Sequence, residues 1–169
     1  MKTLRIRKLV FTALMAALTY VATMVIQIPS PMQGYVNLGD CFVLLSGWLL
    51  GPWWGGAAAG IGSMLTDLLN GYAHYAPGTL VIKACMAITA ALLARVMGKK
   101  PVGYAVSGVA AEAVMVAGYF GYAALLLGKG IAAAASIPGN LVQGAVGLVA
   151  GFLLLQVARR IHLEEKVNV

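Results

Sequence analysis

Three charged residues, Asp40, Asp67 and Lys83, fall inside or beside segments apolar enough to sit in lipid, and Glu112 is a fourth. Ionisable groups in such places cost several kcal/mol unless they are paired, hydrated or holding a ligand, so function is their default reading. Amides and phenols accompany them: Asn37, Asn70, Asn140 and Gln143, with Tyr35, Tyr75, Tyr119 and Tyr122. Asn140 and Gln143 are three residues apart and therefore share one helix face. Tyrosine rings stack on flat ligands and amides orient them. Asp67, Lys83 and Glu112 are also the residues that an intramembrane acid–base enzyme would use. A structural alternative has Asp67 and Lys83 neutralising each other and Glu112 filling a packing defect.

Other chemistries lack their residues. His74 stands alone between Tyr72 and Tyr75, His162 lies far away in the C-terminal tail, and no HExxH or GxxxxGK[ST] motif occurs. Cys41 and Cys85 have no CxxC spacing and read as small buried residues. No metal, cofactor or catalytic residue is expected.

The elements that position these side chains follow from composition. Of 169 residues, 61% are hydrophobic and 10% charged, with a mean hydropathy of +0.88. Soluble domains carry about 25% charged residues. The long Ala, Leu, Val and Gly runs lack the alternation of a membrane β-barrel. The expectation is an all-α integral membrane protein in a cell membrane. At about 20 residues per crossing, the chain has room for six helices in one bundle. They are expected at about 9–28, 38–50, 55–70, 78–97, 102–127 and 138–158, within a single domain spanning 1–169. The second helix is short, so helices 2 and 3 form either two crossings, the preferred reading, or a re-entrant hairpin around Gly51-Pro52-Trp53-Trp54. Pro29, Pro31, Gly34 and Asn37 mark a loop after helix 1, whose Gln33, Tyr35 and Asn37 suit a ligand lid.

The net charge of +7 does not indicate nucleic acid, because Lys and Arg cluster between apolar runs. Six crossings place residues 2–8, 95–100 and 159–166 on one side and Lys129 opposite, so both termini are expected in the cytoplasm. Asp40, Asp67, Asn70, Lys83, Asn140 and Gln143 then converge on the outer half. Ala13 and Ala17, Gly56 and Gly60, and Gly147 and Gly151 repeat a small-xxx-small spacing that lets helices approach closely. No inverted repeat of the kind found in self-contained transporters is visible.

The order of basic leader, Ala13-xxx-Ala17, proline-rich loop, Gly34-Tyr-Val-Asn-Leu-Gly-Asp40, Leu-Leu-Gly-Pro52, Gly-Ile-Gly-Ser63, Asp67 and Tyr75-Ala-Pro-Gly-Thr-Leu-Val-Ile-Lys83 resembles the substrate-binding S components of energy-coupling factor (ECF) vitamin transporters. The resemblance implies capture of a water-soluble vitamin or precursor from outside: riboflavin, a pyridoxine-type or a pyrimidine-type compound. It also implies delivery through a module of two ATPases and a scaffold membrane protein, which Ala13 and Ala17 would contact. Residue by residue, the expected pocket is Tyr35, Asn37, Asp40, Asp67, Asn70, Tyr75, Lys83, Glu112, Tyr119, Asn140 and Gln143. An intramembrane enzyme and a non-binding scaffold protein are the alternatives.

Overall fold

The computed structural model describes residues 2–30 and 34–168; Pro31 and Gln33 of the expected lid lie outside the described residues. The chain folds as helices α1 (Lys2–Val25), α2 (Asp40–Leu50), α3 (Pro52–Leu69), α4 (Ala76–Val96), α5 (Pro101–Gly121), α6 (Ile137–Arg160) and α7 (Leu163–Asn168). Strands β1 (Gln27–Ser30) and β2 (Gly34–Asn37) join α1 to α2. Four helices, α3 to α6, carry proline in the first turn, where its missing N–H and fixed φ are harmless.

Among the described residues, four helical stretches are long and apolar enough to cross a membrane: Arg5–Val25, Ala76–Val96, Pro101–Leu126 and Gly130–Arg160. Helix α2 has 11 residues and so reaches only about 17 Å at 1.5 Å per residue. Every residue of it except Phe42 is buried, which is why its sequence is apolar all round. It is the central post of the bundle, and glycines let its neighbours close on it. A Cβ at Gly47 would stand 2.3 Å from the Ala87 carbonyl oxygen of α4, and one at Gly147 would stand 2.6 Å from Asp40 Cβ.

Helix α1 turns Thr12, Met15, Thr19 and Thr23 inward, a spacing of three and four that makes one buried face. Thr12, Thr19 and Thr23 donate to the carbonyls four residues back at 2.7–2.8 Å, so none of these three hydroxyls is stranded. Ala13 and Ala17 lie on the opposite, exposed face among Val10, Leu14 and Val21.

Helix α1 ends at Val25, short of the expected 28, and Gln27 and Ile28 instead begin strand β1, which pairs antiparallel with β2 of the expected lid, Gln27 opposite Asn37 and Pro29 opposite Tyr35. Proline spoils only one donor of an isolated two-stranded ribbon, so it does not prevent the pairing. At the far end of α5 the backbone widens into a π-helix, Tyr122–Leu126, and a 3-10 helix, Gly130–Ser136, leads into α6. Cys41 is buried as expected, but Cys85 is exposed on the outer face of α4, where a small apolar thiol is compatible with a lipid-facing surface.

Candidate ligand cavity and its relatives

The hairpin folds over one end of the bundle and closes a cavity there. Tyr35 and Asn37 contribute from β2, Asp67 from α3, Lys83 from α4, Tyr119 from α5, and Asn140 and Gln143 from α6. Tyr75, just before α4, completes the set of expected residues that line it. Convergence of this kind follows from topology: α3 ends and α4 and α6 begin at this end of the bundle.

A hydrogen-bonded chain runs from the hairpin to the core. The Asn37 backbone N–H and side-chain amide both donate to Gln143 Oε1, at 2.9 and 3.3 Å. Gln143 Nε2 donates to Asp40 Oδ2 at 2.7 Å, and Lys83 Nζ donates to Asp40 Oδ1. Lys83 and Asp40, 3% and 0% exposed, form a buried ion pair. The partner of Lys83 is therefore Asp40 and not Asp67. A buried pair of this kind holds only if its remaining hydrogen-bonding capacity is met, and Gln143 meets part of it.

Asp67 instead accepts from the Tyr35 hydroxyl at 2.6 Å, and its Oδ2 has no hydrogen-bond partner. Burial, with the adjacent Asp67 charge, pushes the Tyr35 phenol well above its ordinary value, so Tyr35 remains a donor. Ser63, also in the wall, has an unpartnered buried hydroxyl. Polar atoms aimed into a cavity without partners are ready to meet a ligand or water.

Aromatic rings line the mouth. Tyr35 and Tyr72 lie 4.9 Å apart between centroids, His74 and Tyr75 4.8 Å, and Tyr75 and Tyr119 6.4 Å. Tyr119 donates to Thr79 Oγ1 at 3.1 Å while Lys83 Nζ sits 5.5 Å from its ring centre. Tyr122 does not line the cavity; its hydroxyl donates to the His74 carbonyl at 2.9 Å and steadies the aromatic loop.

Three expected residues sit elsewhere. Asp40 lies beneath the cavity, holding Lys83 and Gln143. Asn70 follows α3, with its amide nitrogen buried and unpartnered. Glu112 is buried between α5 and α6, where the missing side chain of Gly144 leaves room for its carboxyl, and neither of its oxygens has a hydrogen-bond partner. Thr23, Thr79 and Ser136 line the cavity and went unanticipated, as did Ser63 and Tyr72. Short hydroxyl side chains in apolar helices carry no signal that separates a cavity wall from ordinary bonding to the preceding turn.

A helical bundle that encloses a polar, aromatic-rimmed cavity in apolar surroundings defines a membrane-embedded small-molecule-binding protein. Comparison with known proteins narrows this. The family model for the ECF-type riboflavin transporter S component matches residues 3–160, and the chain belongs to that family. A protein of Pyrococcus woesei, described only as an uncharacterized protein in a gap 3′ region, is 37% identical over 135 residues, covering 78% of this chain and 87% of its own. A solved S component of a bacterial ECF transporter superposes with a TM-score of 0.74 over 93% of this chain and 98% of its own, at 20% identity. The fold is thus that of an S component, the substrate-binding part of a vitamin transporter and a membrane-integral protein.

Proposed function

We propose that the protein captures a flat, heteroaromatic, water-soluble vitamin in the cavity beneath the hairpin, with riboflavin as the first candidate. Delivery would follow through an ATP-driven ECF module in a prokaryotic plasma membrane. The reading uses six crossings with both termini in the cytoplasm, which puts the cavity on the outer side. The start of α1 and the C-terminal helix α7 lie together, with Arg7 Nη1 donating to the Lys166 carbonyl at 3.2 Å, and Lys129 lies at the opposite end against Tyr75. A charge bias of that kind orients a membrane protein with its basic end inside.

The observation that carries the proposal is the composition of the cavity. Tyr35, Tyr72, Tyr75 and Tyr119 offer ring faces, and Asn37, Asn140 and Gln143 offer amides that can read the donors and acceptors of a heterocycle. With the hairpin down, the cavity measures about 50 Å³, room for a few waters. A vitamin needs a pocket of about 300 Å³ or more. The hairpin must therefore lift, breaking the Tyr35–Asp67 and Asn37–Gln143 bonds, and the ligand takes over the groups so released.

Titration of the purified protein with riboflavin, read by quenching of flavin fluorescence against stacked tyrosines, tests the substrate. A panel containing pyridoxine-type and pyrimidine-type compounds, read by native mass spectrometry, tests the function. Saturable binding of riboflavin is expected. Binding of another panel member would replace the substrate and keep the role, whereas a folded protein that binds none of them would end the vitamin-capture reading.

A further inference from the structure

The opposite end of the bundle holds a second and much larger cavity, of about 680 Å³, that vitamin capture does not use. That size lies within the roughly 300–1,000 Å³ of small-molecule pockets. Five cationic or potentially cationic side chains line it from four places in the chain: Lys8 of α1, Arg95 of α4, Lys99 of the α4–α5 turn, and Arg159 and His162 around the end of α6.

Helices α2, α4 and α6 end here, and their C-terminal carbonyls attract cations. Lys99 and His162, with φ of 53° and 55°, are the non-glycine residues in the left-handed region among those described, and both line this one cavity. Both follow the last turn of a helix, α4 and α6, where a left-handed residue ends the helix and turns the chain away. Gly51 adds a third constraint: its φ is +83°, and a Cβ there would stand 2.5 Å from Arg95 Nη2. The bare glycine leaves room for the Arg95 guanidinium across the α2–α3 turn at the cavity wall. Arg159 is held in place separately, its guanidinium 5.2 Å from the Tyr104 ring centre and donating to the Lys99 carbonyl at 3.3 Å.

We propose that this basic cavity binds a phosphate group, the anion whose charge and multiple acceptor oxygens match several converging cations. Two sources share that chemistry, an anionic phospholipid headgroup and soluble phosphate. The rim favours the lipid: Leu9, Val96 and Ile161, adjacent in sequence to Lys8, Arg95 and His162, are 58%, 84% and 52% exposed and give acyl chains an apolar path. Basic pockets between helices at the cytoplasmic surface recognise lipid headgroups in this way. The inference is independent of which vitamin is bound and uses only the orientation proposed above.

The test is native mass spectrometry of the full-length protein in detergent, supplied with phosphatidylglycerol or phosphatidylcholine, together with the thermal midpoint in the presence of inorganic phosphate. The variant is Lys8→Gln with Arg95→Gln, which spares the packed Arg159; Lys8→Arg with Arg95→Lys keeps the charge. Wild type should retain phosphatidylglycerol about tenfold better than phosphatidylcholine. The Gln variant should lose that preference and the charge-keeping variant should retain it. A phosphate-dependent rise in midpoint, lost in the Gln variant and without lipid preference, would support the soluble source. Equal retention of both lipids with no phosphate response, or a preference undiminished in a Gln variant of unchanged helicity, would overturn the proposal.

Discussion

At the scale of single residues, the Asp40–Lys83 pair decides what the cavity floor can tolerate. Removing one partner leaves the other charge buried without compensation, which costs about 3–5 kcal/mol, while removing both is far milder. Lys83→Met is therefore expected to lower the thermal midpoint in detergent sharply, and Asp40→Asn combined with Lys83→Met to recover most of the loss. Additive losses would mean that the two side chains do not act as a unit. Tyr35→Phe removes a single donor from Asp67, a loss of about 1–3 kcal/mol where the acceptor stays buried. If the ligand takes over the Tyr35 hydroxyl once the hairpin has lifted, the variant should bind about tenfold more weakly, and unchanged affinity in the same titration would exclude that role. The presence of Asp40, Asp67 and Lys83 near one end was legible in the sequence, because ionisable residues stand out against lipid-soluble neighbours. Their pairing was not. Asp67 is nearer to Lys83 along the chain, and only the buried position of α2 between α4 and α6 brings Asp40 to it.

The hairpin is the element whose movement matters. Its described strands make few buried contacts of their own, Asn37 being the buried exception, and Tyr35–Asp67 and Asn37–Gln143 tie it down. Segments held by a few polar contacts open at lower free energy than a helix buried on all sides, such as α2. Ligand should therefore slow amide hydrogen exchange across β1 and β2 while leaving α2, already protected, unchanged. Equal exchange in β2 with and without a bound vitamin would show that the hairpin is not the lid. The sequence marked a polar, proline- and glycine-containing lid at this position, but prolines at 29 and 31 argued against paired strands. Residue patterns expose the helices better, since proline in the first turn and apolar length set their starts and spans. Helix α2 shows the limit: a short apolar run is equally consistent with a partial crossing and with a post enclosed by other helices.

For the whole molecule, the informative surface is the one its own bundle leaves uncovered. In most small-xxx-small patterns of this chain the small residues are used internally, Gly60 against the Leu80 carbonyl and Gly151 against Cys41. Ala13 and Ala17 differ: Thr12, Met15 and Thr19 occupy the inward face of α1, so the alanines point out. A flat alanine stripe lets another helix approach closely, and packing then holds the two together without a hydrophobic driving force. If, as we propose, this stripe receives the scaffold subunit of an ECF module, a bulky side chain on it should separate capture from transport. Ala13→Trp or Ala17→Trp should then abolish vitamin uptake by cells that carry the module and leave the affinity of the purified protein unchanged, since the stripe lies on the outer face of α1, away from the cavity lined by Thr23. Loss of both activities would indicate a disturbed fold, which the thermal midpoint would reveal. Uptake at the wild-type rate by a variant expressed at equal level would remove α1 from the docking surface and turn attention to the other lipid-facing helices, α5 among them, where Val102, Val106 and Val109 are exposed.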